Sequence, residues 1–227
     1  MRRAALFVPA FVIAALAGSA VRAQSSCSSD RQLSPAVLVE RFINADCDTC
    51  WADTSTVRTG RRELPLDWIV PGARGDDAPL AMAATRDALD RLQALGRGRP
   101  LPTDAVRGTR EPGAGTLRVA HGLPFNGYIG TSIEMRAAGG GPWTAWLALV
   151  EALPAGTEGS PVERNLVRNL LQLPWPAGAG RHFETRPMAI PEGTHPDRLR
   201  VVGWIEDSRG AIRAISASRC GPAASER

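Results

Sequence analysis

Ala36-Val37-Leu38-Val39-Glu40-Arg41-Phe42-Ile43, then the break Asn44-Ala45-Asp46, then Cys47-Asp48-Thr49-Cys50-Trp51-Ala52-Asp53, is the stretch that sets the expected fold. The near-continuous apolar run at 36–43 reads as a strand buried on both faces, as in a parallel sheet. A Cys-x-x-Cys pair where such a strand gives way to a short helix, here expected to run to about Val57, is the thioredoxin arrangement. Two intervening residues let the sulfurs close a small ring within the first helical turn. Free backbone N–H groups and the helix dipole there stabilise a thiolate. In that reading Cys47 is the attacking thiol and Cys50 the resolving one.

The same four residues support a second reading, a small disulfide that only pins the helix start. Asp46, Asp48 and Asp53 flank the thiols, and nearby negative charge disfavours a thiolate. Trp51 stands where redox helices often carry Pro. A cis-proline loop facing the thiols has two candidates, Arg99-Pro100 and Leu101-Pro102. A metal site is not indicated: zinc wants a second ligand pair, and His121, His182 and His195 are scattered.

Working outward, residues 64–70 form a second short apolar stretch, ended by Pro71-Gly72. Residues 79–95 read as the best helix of the chain, with Leu80, Ala84, Ala88, Leu92 and Leu95 at helical spacing, Asp76 and Asp77 ahead of it and Gly96 as its stop. Residues 96–115 are a linker by composition. Beyond them the pattern turns to β. Strand-like stretches flank Asn126-Gly127, the strongest short hairpin signal. Ile129, Thr131, Ile133 and Met135 share one face. Further strands are expected at 143–150, 181–190, 199–206 and 211–218, and 162–173 is open between helix and strand. The six Trp are read mostly as core, with Trp143 and Trp146 on opposite faces of their strand.

The 227 residues include 23 Gly and 18 Pro but only 5% aromatics, which favours short elements and turns over a long helical bundle. All 27 basic residues are Arg. Schiff-base and P-loop chemistry, which need Lys, are therefore excluded. Residues 1–23 carry Arg2-Arg3, an apolar run and Val21-Arg22-Ala23, the pattern of a secretory signal peptide. Their removal would leave 24 Arg against 23 acids, so the basic balance signals neither nucleic acid nor a membrane surface. No other apolar stretch is long enough to span a bilayer. Four cysteines remain in the exported chain and allow three pairings. The natural one is Cys47 with Cys50, which leaves Cys27 with Cys220.

Several of these segments resemble the exported bacterial thioredoxin-like proteins grouped as domain of unknown function 1223. Val39-Glu40-Arg41-Phe42 and the Cys47–Asp53 segment are similar to that family's strand and its Cys-Ser-Ser-Cys-Pro-Pro-Ala-Asp turn. Leu66-Asp67-Trp68, Asp77-Ala78-Pro79-Leu80 and Thr85-Arg86 are similar to weaker family elements. Asn165-Leu166-Val167-Arg168-Asn169-Leu170, with Trp175 beyond it, resembles a stretch of the family's β region. The resemblance implies a fold and an export compartment; the family has no settled activity.

The expectation is an α/β thioredoxin-like unit at 24–108 followed by an antiparallel, sandwich-like β region at 109–227, in a periplasmic or secreted protein. Its function would be thiol–disulfide exchange through Cys47 and Cys50, needing no cofactor or metal and acting on thiols or disulfides of other exported proteins. The alternative is a non-catalytic binding or envelope-structure protein in which Cys47–Cys50 is structural.

Overall fold

A computed structural model of the chain describes residues 27–55 and 59–220. The expected signal peptide at 1–23 and the expected helix end at Val57 lie outside the described residues. Twelve strands occur among the described residues: β1 (Cys27–Ser28), β2 (Val37–Asn44), β3 (Glu63–Val70), β4 (Thr103–Thr109), β5 (Gly115–Phe125), β6 (Tyr128–Ala137), β7 (Trp143–Leu153), β8 (Arg164–Trp175), β9 (Gly180–Ala189), β10 (Leu199–Asp207), β11 (Ile212–Ala217) and β12 (Arg219–Cys220). The α-helices are short, α1 (Asp48–Ala52) and α2 (Arg86–Ala94).

The strands form two sheets. One has five strands in the order β12-β1-β5-β6-β9, the other seven in the order β11-β10-β7-β8-β3-β2-β4. Apolar residues on alternate positions of β5, β6, β7 and β10 meet between the sheets, with Val119, Ile133, Met135, Leu147, Leu149, Val201 and Ile205 in that core. Gly203 of β10 lies so close under Val119 that a side chain there would collide with it, which fixes how tightly the sheets approach. The far face of the larger sheet carries a second core, built on Leu38, Phe42, Leu66, Trp68, Trp146 and Trp204, and α2 covers it with Ala88 and Leu92. Burial of both faces is why β2, β3, β7 and β10 carry long apolar runs and are buried at nearly every position, their few polar residues included.

The expected thioredoxin-like α/β unit does not form. β2 and β3 do pair in parallel, but β3 goes on to pair in parallel with β8, whose own neighbour β7 continues the sheet to β10 and β11. The β2–β3–β4 segment is therefore part of a large mixed sheet in a mostly β protein. The sandwich expected for the later chain fits. The long helix expected at 79–95 shrinks to α2, because Thr85 has extended dihedrals and its hydroxyl caps the Ala88 N–H at 3.2 Å. The segment before it makes single 3₁₀ turns at Gly75–Asp77 and Ala81–Ala83. The stretch read as a linker contains β4, antiparallel to β2 from Ile43↔Thr103 to Val37↔Thr109. The ambiguous 162–173 stretch is strand from Arg164 onward, in β8. Trp143 and Trp146 do take opposite faces, one in each core.

Candidate functional site

The end of β2 passes into the cysteine turn through Asn44. Its N–H donates to Pro102 O at 3.0 Å and its amide donates to Pro100 O at 3.1 Å, which ties the 100–102 segment to the turn. Its side-chain oxygen accepts the Asp46 N–H at 2.9 Å and its carbonyl accepts the Cys47 N–H at 3.0 Å. Of the two proline candidates, the Leu101–Pro102 bond is cis.

Cys47 is the N-cap of α1. Its Sγ accepts the Cys50 N–H at 3.3 Å and lies 3.5 Å from the Thr49 hydroxyl. Cys47 and Cys50 are disulfide-bonded, and both are half-buried. α1 has five residues, so the local N–H groups, rather than an extended macrodipole, polarise the sulfur. The flanking acids are engaged elsewhere. The Asp46 carboxylate accepts the N–H groups of Ala73 and Arg74, packed against Gly72 where a side chain would displace it. Asp48 accepts the Thr49 N–H. Asp53 is held below the usual carboxylate range by the backbone N–H and then the hydroxyl of Ser55.

The other end of α1 is anchored without help from the bridge. Trp51 is buried and its indole N–H donates to Glu158 O at 2.8 Å. The Arg164 guanidinium stacks on the Trp51 ring at 4.8 Å and donates to the carbonyls of Trp51, at 2.5 Å, and Asp53, at 3.1 Å. Arg164 is fully buried and pairs with Asp67, which also accepts from Arg41 at 2.7 Å. Nε and Nη1 of Arg41 have no partner, and Arg41 lines a cavity of about 220 Å³ together with Ile43, Cys50, Thr103 and Ala105. The open face of the β2–β4 edge thus leads to Cys50. Arg41 and Asp67 carried a signal in sequence: two opposite charges inside two apolar strand stretches can be buried only if they pair. Arg164, about a hundred residues further on, had none.

A second buried cluster lies on the far face. Arg91 of α2 donates to both oxygens of Glu40 at 2.8 and 2.7 Å and to Glu206 at 2.7 Å, with its guanidinium over the Trp146 and Trp204 rings. Both indole N–H groups donate to Glu206. Burial opposes the Arg91 charge; Glu40 and then Glu206 outweigh it and hold its pKa above the ordinary value. The cluster fixes α2 on the sheet.

Cys27 and Cys220 are also bridged, at directly opposed positions of β1 and β12. His121 of β5 faces Cys27 across the next ladder. It is buried, with one ring nitrogen 2.9 Å from Gly122 O, and burial pushes its pKa down. His121 therefore belongs to the clip that gathers the two ends of the described chain, a role its isolated place in the sequence did not signal. Among the described residues, Glu151, Glu158 and His195 also bring possible metal-ligating atoms together, but Arg168 already holds Glu151 at 2.6 Å.

No family model, curated protein or solved structure matches this chain. Among the described residues, no helix is long and apolar enough to cross a membrane.

Proposed function

We propose that the Cys47–Cys50 pair carries out thiol–disulfide exchange with other exported proteins. The observation that carries this reading is that α1 is held at its far end by Arg164 and Trp51, so the bridge is not needed to pin it, while Cys47 caps the helix start, half-exposed, with an N–H aimed at its sulfur. The bridged form would act as oxidant. A client thiolate attacks Cys47 Sγ, the Cys47–Cys50 bond breaks, and Cys50 leaves as thiolate. A second client thiolate then attacks the client sulfur of the mixed disulfide and Cys47 leaves. Two electrons pass from client to Cys47 and Cys50, and the reverse sequence reduces a client disulfide. Capping of the sulfur lowers the cost of the thiolate that leaves last.

Two closed disulfides support an oxidising compartment, and so does the leader pattern at 1–23. A periplasmic or secreted location belongs to the same proposal.

The test is trapping. Cys50→Ser, whose Cys47 thiolate attacks a client disulfide and cannot be released by Cys50, should accumulate mixed disulfides with an oxidised model client such as scrambled ribonuclease, and Cys47→Ser should accumulate none and should abolish insulin reduction by the dithiol form. Insulin reduction unchanged by Cys47→Ser would remove the proposal.

A further inference from the structure

Arginine supplies all the basic charge, and most arginines among the described residues face a carboxylate. Five that have no such partner, Arg31, Arg61, Arg62, Arg200 and Arg219, line a single cavity of about 350 Å³. They come from four places in the chain: beyond β1, ahead of β3, on β10 and on β12. Only the closed fold brings them together, and the β1–β12 pairing sets Arg219 opposite Ser28. The one acid among the described residues of the lining is Glu63, and its carboxylate is taken up by the Gly60 N–H and by Arg107.

Five like charges around one hollow repel one another, and among the described residues of the cavity wall no free carboxylate pairs with them. Arg200 feels this most. Its Nη2 donates to Asn165 Oδ1, its Nε is buried without a partner, and burial and then the charge of Arg219 push its pKa below the ordinary value, with Glu163 opposing. The other four guanidiniums are on exposed residues and free to move onto a ligand.

We propose that this cavity binds a multiply charged phosphate group of the diphosphate class. Guanidinium forks match phosphate oxygens bidentately, and a single carboxylate would leave most of the five charges unmatched. The volume lies near the lower end of small-molecule sites and suits a diphosphate with its waters. The group can be free or part of a lipid headgroup, since the contacts are the same. The site is independent of Cys47 and Cys50.

The test is calorimetric titration of the oxidised full chain with inorganic pyrophosphate at low salt, with acetate as the carboxylate comparison. Saturable one-to-one binding is expected, at least roughly tenfold weaker in Arg61→Gln/Arg62→Gln, where charge-assisted contacts are lost. Arg74→Gln/Arg86→Gln removes the same charge from two unpaired arginines outside the cavity and should leave binding unchanged. Sedimentation with vesicles containing diacylglycerol pyrophosphate against phosphatidylcholine vesicles separates the sources: pelleting that pyrophosphate competes away assigns a lipid headgroup, and no pelleting assigns a soluble diphosphate. Absence of saturable pyrophosphate binding, or equal weakening by the two double variants, would overturn the site.

Discussion

Cys27–Cys220 joins residues 193 positions apart, and Cys47–Cys50 joins residues 3 apart. The first lies within a hydrogen-bonded ladder beside a buried histidine and gathers the two ends of the described chain onto the smaller sheet. The second lies at a half-exposed turn whose neighbouring helix is anchored by other contacts. The same covalent bond therefore does different work in the two places. A long loop makes the first a constraint on the unfolded chain. The second closes a loop so short that little chain entropy is at stake, which leaves chemistry as its distinguishing property.

That contrast can be broken by mutation. Cys27→Ser/Cys220→Ser should cost the most, on the order of 5 kcal/mol from loop-closure entropy, read as a large fall in the urea midpoint. Asp67→Ala comes next. It leaves Arg41 and Arg164 buried without their carboxylate, a change of about 3–5 kcal/mol, and loosens α1, which Trp51 fluorescence would report. Cys47→Ser/Cys50→Ser should cost no more than about 2 kcal/mol. A loss equal to that of Asp67→Ala would show that the short bridge is a pin after all.

The smallest effect is on the pH dependence. His121 has a folded pKa below its unfolded value of about 6.5, because burial disfavours its charge. The unfolded chain thus binds the proton first as pH falls. Stability should be full above about pH 6.5 and decline below it, and His121→Gln should flatten that decline in urea titrations from pH 7 to 5. An unchanged slope would place the acid sensitivity elsewhere.

The junction of β2 and α1 was legible because it rests on local signals: an apolar run, a break and a cysteine pair whose spacing fits one helical turn. Both bridges followed from cysteine arithmetic, and the β5–β6 hairpin from Asn126-Gly127. The sheet that contains β2 was not legible. Nothing local in residues 64–70 tells that β3 will accept β8, about a hundred residues later, as its second neighbour. β4 was hidden by its composition, since an edge strand with Asp104, Arg107 and Gly108 looks like a loop. α2 was overextended because Leu80 and Ala84 fit the helical spacing, whereas they serve 3₁₀ turns packed near Trp51. The convergence of five unpaired arginines needed the closed fold as well.

The most direct test is a redox titration of the folded protein, with alkylation and mass mapping of each cysteine at every potential. Cys47 and Cys50 should open at a potential above about −300 mV, while Cys27–Cys220 stays closed at that poise. Opening of Cys27–Cys220 first, or a Cys47–Cys50 bridge that resists reduction to well below about −300 mV, would contradict the division of labour between the two bonds.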